Sequence, residues 1–360
     1  MEANGKGIIN VLFITRRVDQ GHPLAGFAWA WVRELNKQLA MAGGQLTVVT
    51  LEPSSAEGLM GNIAVHSVRR GKKNRFKDFI AFSILLKSLV SQNDIIFIHQ
   101  HPVYALIAAP FAKIYRKKIY LWYVHKKVDY KLRIAAGVCS GIFTASKESF
   151  RLRTHTPVHV VGHGIDTDFF TPAEGTSQNS TTVVLSVGRL SPIKGYDILI
   201  EAVRYLVQQQ NNVTVRIVGG PGLEGQKEYA AGLEQMVKDK GLQGIVRLVG
   251  PVAHRDIVNE YRNADVCVNL SDTGSLDKAV LEAMACGMPV ITSNEAYQSI
   301  VTPIEPSLYV FRTPDAVATA IKRVIAMPPE ARRQLGGRLR ALVVRDHDLK
   351  ELVKKIISIV

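Results

Sequence analysis

The chain has 360 residues, enough for two domains of ordinary size. Its 47% hydrophobic and 21% charged residues describe a globular chain and exclude a disordered one. No apolar run approaches the roughly 18 residues of a spanning helix, and three scattered cysteines (Cys139, Cys267, Cys286) exclude a disulfide framework or a cysteine-based metal cluster.

The opening "MEANGKGIINVLFITRR" lacks the basic, apolar, small-residue succession of a signal peptide and runs straight into a strand. The expected compartment is the cytoplasm, where the sequons at Asn179 and Asn212 are chance matches. Strand, loop and helix then alternate, the pattern of parallel sheets. The first series of strands is "INVLFITR", "QLTVVTLE", "DIIFIHQ", "KIYLWYV", "GIFTAS" and "VHVVGHG". Between the first two, Phe27, Trp31, Val32, Leu35 and Leu39 make one buried helical stripe, stopped by Gly43-Gly44. Residues 173–180, "AEGTSQNS", read as a linker. A second series follows: "TVVLSVGR", "VTVRIVGG", "IVRLVGP", "VCVNLS" and "PVITSN". The expectation is an α/β protein of two facing, Rossmann-like, doubly wound domains. They span residues 1–172 and 181–340, and a helix at 341–360 returns toward the first domain. Ligands of such sheets bind beyond the carboxyl ends of the strands, so function is expected at the domain junction.

The net charge of +14 is uneven: residues 1–175 hold 23 Lys and Arg against 12 Asp and Glu, and the remainder 22 against 19. The excess lies in 69–90 and 113–133, beside Phe76, Phe79, Ile80 and Leu85. Basic and apolar residues so mixed suit an anionic membrane surface better than nucleic acid; a solvated basic face is the plainer alternative.

Several motifs are decoys. "GPGLEG" (220–225) has dinucleotide-type glycines, but the following strand, "IVRLVGP", ends in no acidic residue to hold a ribose. "DTD" (166–168) and "DHD" (346–348) lack a third metal ligand, and "HQH" (His99, His101) lacks the rest of a tetrahedral zinc set. One of these histidines is expected to line the cleft. Neither a metal nor a cofactor is expected.

"SVGRLSPIKGYDILIEA" (186–202) is more specific. A strand ends at Gly188, a helix starts near Gly195, and Arg189 and Lys194 lie between. A helix start already carries unpaired N–H groups and positive partial charge, so two added cations there suit a multiply charged anion. About 80 residues on, "NLSDTGSLDKAVLEAMACGMPVITSN" repeats the device: a strand ends in polar residues and a helix begins near Ser275, with Glu282 two turns in.

Together, "GRLSPIKGYDILIEA" and "LEAMACGMPVITS" resemble the donor half of family-four glycosyltransferases, which have the two-domain GT-B fold. "VHVVGHGIDTDFFTP" resembles the lead into the family's interdomain linker, and "VGGPG", with Gly219, its donor-side glycine loop. The resemblance implies that Arg189 and Lys194 grip the donor diphosphate, that Glu282 holds the ribose, and that Val252 lies where the base is held through backbone. It implies that His125 reaches the transferring sugar and that Gly26, with His99, belongs to the acceptor-side loop. Family members retain configuration and need no metal. One departure stands out: the earlier glutamate of the family's pair falls at Gly274, within "TGSLDK". Ser275, Asp277 and Lys278 then complete the donor side, with Asp277 either recognising the sugar or capping the helix.

The reading is a cytoplasmic, peripherally membrane-associated retaining transferase on the inner face of the membrane. It moves a hexose or N-acetylhexosamine from a UDP- or GDP-sugar to a lipid-linked or glycan acceptor. The alternative is a catalytically degenerate nucleotide-sugar-binding protein of the same fold; a GT-B epimerase or phosphorylase fits the motifs less well.

Overall fold

The computed structural model describes residues 8–22, 26–54, 63–69, 74–174, 181–222 and 224–360. Most of the linker segment 173–180, together with Lys72 and Lys73 of the basic stretch, lies outside them. The chain divides into two units, residues 1–164 with 349–360, and residues 165–348.

The first unit begins with β1 (Val11–Thr15), α1 (Gly26–Met41), β2 (Leu46–Thr50) and β3 (Ala64–Ser67). It continues through α2 (Arg75–Gln92), β4 (Ile95–His99), α3 (Pro102–Tyr115) and β5 (Lys118–Trp122). Then come α4 (Tyr130–Val138), β6 (Gly141–Thr144) and β7 (Val158–Val160). The seven strands are ordered β3-β2-β1-β4-β5-β6-β7, and every pairing is parallel. The sequence pattern missed β3, whose residues are exposed or half-buried and so form no apolar run. The central strands are fully buried, as expected of a parallel sheet covered on both faces. One face packs on α1, where Trp31 meets Trp122 (ring centroids 4.8 Å apart) and Phe97 (6.2 Å).

The second unit comprises β8 (Thr182–Val187), α5 (Tyr196–Gln208), β9 (Val213–Val218), α6 (Lys227–Asp239) and β10 (Val246–Gly250). It goes on through α7 (Ile257–Arg262), β11 (Val266–Asn269), α8 (Lys278–Ala285), β12 (Val290–Thr292) and α9 (Gln298–Val301), then α10 (Pro314–Ile325) and α11 (Pro329–Asp346). Its five parallel strands are ordered β10-β9-β8-β11-β12. The order reverses between β8 and β11, the switch point beyond which doubly wound sheets bind ligands.

The stretch 341–360 is not one helix. α11 ends at Asp346, and α12 (Leu349–Ile359) follows and belongs with the first unit. α12 buries Leu349, Leu352, Val353 and Ile356 and packs with α1. The three cysteines are buried and free.

Candidate active site

In the second unit the strand ends around the switch point are drawn tightly together. Gly219, just past β9, has φ +141°, and a Cβ there would lie 1.9 Å from the Gly188 carbonyl oxygen. Only glycine permits this approach. It lets the Leu190 N–H donate to the Gly220 carbonyl (3.0 Å) and sets the Arg189 side chain along Gly222. Arg189 is exposed and has no ion-pair partner among the described residues. Lys194, five residues on, ends a short 3-10 turn and is buried, 9% exposed. Both cations thus border the start of α5, one in solvent and one beneath it.

The β11–α8 segment supplies the other wall. Expected near Ser275, the helix begins only at Lys278. The loop before it is held open by bonds from other elements. The buried Asn294 amide donates to the Ser275 carbonyl (2.9 Å), the Tyr297 hydroxyl donates to the Asp277 carbonyl (2.6 Å), and the Asp272 N–H donates to the Ile193 carbonyl (2.9 Å). Arg312 spans both walls, donating to the Leu270 carbonyl at 2.9 Å and the Pro192 carbonyl at 3.0 Å. Gly274 is buried in this loop with φ +59°.

Asp277 occupies the N-cap position of α8 without making a side-chain capping bond, so the capping alternative is corrected. Its carboxylate is the counter-ion of Lys194 and accepts a further bond from the Asn269 amide (3.1 Å). Burial works to raise the Asp277 carboxyl; the Lys194 charge, with hydrogen bonds from Lys194, Asn269 and Ser271, outweighs it and holds the group below the usual aspartate value.

Glu282 lies one turn beyond Lys278 on α8, 7% exposed, and accepts a bond from the Tyr261 hydroxyl (2.9 Å). Burial pushes its carboxyl upward, opposed by Lys278 and by the Tyr261 bond. Burial pulls the Lys278 ammonium downward, opposed by Glu282 and Asp166. Val252 is half-buried in the loop after β10, two residues before His254. The His254 ring stacks on Phe169 (centroids 5.9 Å apart, 14° between planes), and burial with the nearby Lys278 lowers its pKa to about 4. Arg189, Lys194, Gly219, Val252, Gly274, Ser275, Asp277, Lys278 and Glu282 therefore all stand on the carboxyl-end loops of one sheet or on the helix that follows.

In the first unit His125 is exposed three residues past β5, edge-on to Tyr123 (5.5 Å, 78°). The Tyr123 hydroxyl donates to the Lys127 carbonyl (2.8 Å), which shapes that turn. Gly26 is the buried first residue of α1, its N–H donating to the His22 carbonyl (3.0 Å). His99 is 1% exposed, packed on Phe13, Phe27 and Trp31 and paired with the Thr15 hydroxyl (3.1 Å), a core position of the first unit, whereas His101, the other histidine of "HQH", is exposed at the start of α3.

Sequence reasoning passed over Asn269, Asn294, Tyr261, His254 and Arg312. The two asparagines had a legible signal, since each closes a strand run on a polar residue ("VCVN", "VITSN"). The other three had none. Among the described residues no group of three His, Cys, Asp or Glu is placed to hold a metal.

Residues 169–341, most of the second unit, match the family model described as glycosyl transferases group 1. The chain is similar to the D-inositol 3-phosphate glycosyltransferases of Geodermatophilus obscurus (32% identical over 200 residues, 49% of this chain) and Kineococcus radiotolerans (32% over 148 residues, 38% of this chain). The match spans only 43% and 34% of those relatives' own length. The fold is that of GT-B glycosyltransferases. The Anabaena protein Alr3699/HepE, solved in complex with UDP and glucose, superposes with a TM-score of 0.76 at 19% identity, covering 97% of this chain and 98% of that one. Sucrose-phosphate synthase from Thermosynechococcus elongatus gives 0.75 at 19% identity, covering 98% of each.

Proposed function

We propose that the protein is a retaining glycosyltransferase that moves a hexose or N-acetylhexosamine from a UDP- or GDP-sugar to a lipid-linked or glycan acceptor. The observation that carries this reading is the buried Lys194 beside the exposed Arg189, at the ends of strands that only glycine lets approach. Two such cations near a helix start stabilise the charge that develops on a departing nucleoside diphosphate. In this reading Glu282 accepts from the ribose hydroxyls, the loop with Val252 borders the base, and His125 reaches the transferring sugar. Similarity to a protein solved with UDP and glucose supports a uridine donor. D-inositol 3-phosphate, for which the relatives are named, joins the acceptors to be assayed.

A peripheral place on the inner, cytoplasmic face of the membrane belongs to the same reading. Residues 102–138 hold eight Lys and Arg against one Asp. On α4 Tyr130, Ile134 and Val138 form an exposed apolar stripe, and Ile134 and Val138 line an open groove against α3 whose rim carries Lys113 and Lys117. Exposed apolar side chains among cations suit an anionic bilayer. No helix among the described residues is long and apolar enough to cross a membrane.

Gly274, standing where the family has a carboxylate, favours a second reading: a protein that binds nucleotide sugar and transfers nothing. Incubation with radiolabelled UDP-glucose, UDP-N-acetylglucosamine and GDP-mannose decides between them. Slow release of the sugar to water or transfer to an acceptor supports the enzyme. Tight binding of a donor that stays intact supports the alternative.

A further inference from the structure

The following inference rests on the donor-site reading above. In this structure the buried cation of the site is neutralised from within: Lys194 is held by Asp277, which Asn269 also orients. A diphosphate gripped by Lys194 competes for that same ammonium. If Lys194 turns to the phosphate, the Asp277 carboxylate loses its counter-ion while still largely buried, 16% exposed. A buried carboxylate stripped of its partner is costly unless new donors reach it. The hydroxyls of a sugar are such donors, and with Gly274 in place of the family's carboxylate no side chain from that position receives them.

We propose that Lys194 and Asp277 exchange partners when the donor binds: the diphosphate takes the ammonium, and the released carboxylate accepts hydrogen bonds from the sugar. Asp277 then couples recognition of the two halves of the donor. A bare diphosphate meets the carboxylate as a competitor, whereas a sugar diphosphate supplies its replacement partners. A merely structural ion pair has no such effect, because its loss weakens every ligand alike.

The experiment measures affinities of the full chain for inorganic pyrophosphate, UDP, UDP-glucose, UDP-N-acetylglucosamine, GDP and GDP-mannose by calorimetry, in wild type and in Asp277→Asn. Couplings between sites lie at about fivefold or more. The expected result is that wild type prefers a sugar nucleotide to its parent diphosphate by at least about that factor. Asp277→Asn should bind pyrophosphate and the nucleoside diphosphate more tightly than wild type by a similar factor and lose the preference for the sugar. Asp277→Ser serves if the asparagine variant folds poorly, and Lys194→Gln in the same background should remove the gain. Equal or weaker binding of pyrophosphate in the variant overturns the exchange, and so does a wild type indifferent to the sugar. If wild type binds no nucleotide, the donor-site reading fails and the exchange with it; if it binds nucleotides without these differences, the exchange alone fails.

Discussion

The Lys194 ammonium and the Asp277 carboxylate, 83 residues apart in sequence, form one ion pair between the loops that follow β8 and β11. Neighbours on opposite sides of a switch point, they make the stability of the fold and the binding capacity of the site draw on the same two groups. The two cations of the site should therefore respond differently to deletion.

Lys194→Ala leaves a largely buried carboxylate uncompensated and should cost about 3–5 kcal/mol of stability. Arg189 is exposed, so Arg189→Ala should stay within about 0.5 kcal/mol. Both should reduce donor turnover by about 2–4 kcal/mol of transition-state stabilisation. Thermal denaturation with initial-rate assays separates the two effects. Equal melting temperatures would refute the buried pair, and wild-type rates in both would refute the diphosphate role.

The pair also sets a pH dependence. Asp277 sits below its usual value, so the unfolded chain binds its proton more readily than the native one. Its stabilisation is complete above the unfolded value of about 3.9 and is lost as pH falls from there through the lower native value. Urea midpoints measured from pH 6 downward should fall more steeply below about pH 4 in wild type than in Asp277→Asn. Parallel curves would remove Asp277 from the account of acid sensitivity.

His125→Ala should keep both the melting temperature and the affinity for UDP, since the residue is exposed and the cations belong to the other unit. Transfer should fall by about 10²-fold or more, the usual scale for a group acting on the reacting centre. A matching loss of UDP affinity would point to a structural role instead.

Membrane association is read by sedimentation with vesicles. Binding should require anionic lipid and weaken as salt shortens the screening length to about 8 Å and below. Ile134→Asp with Val138→Asp on the exposed face of α4 should release the protein while leaving hydrolysis of soluble donor unchanged. Undiminished binding by that variant, or binding to neutral vesicles, would reject the surface.

The strands of the second unit were legible because each is a short apolar run ended by glycine or a polar residue, as "VTVRIVGG" is at β9. Lys194 and Asp277 each stand out in the sequence as site residues. Their pairing does not, since nothing local links residues 83 positions apart. Similarly, α8 starts three residues later than its pattern suggests, because Asn294 and Tyr297 from the next strand–helix connection hold Ser275 and Asp277 in the loop. Of the two histidines in "HQH", sequence does not tell which one leaves the core: a polar residue closing an apolar strand looks like an exit to solvent, yet His99 is 1% exposed. Three aromatic rings from β1 and α1 enclose it, and only the fold brings them there.

The return of α12 to the first unit has a consequence for synthesis. That unit is discontinuous, since residues 349–360 complete a body whose other part ends at Gly164. A ribosome delivers residues 165–348, and with them the whole second unit, before it makes the segment that α1 packs with. The first unit thus starts earlier and finishes later, with the apolar seat of Leu352, Val353 and Ile356 uncovered in the interval. During that interval the nascent chain offers chaperones a defined hydrophobic target on its older half, while its younger half is already able to fold.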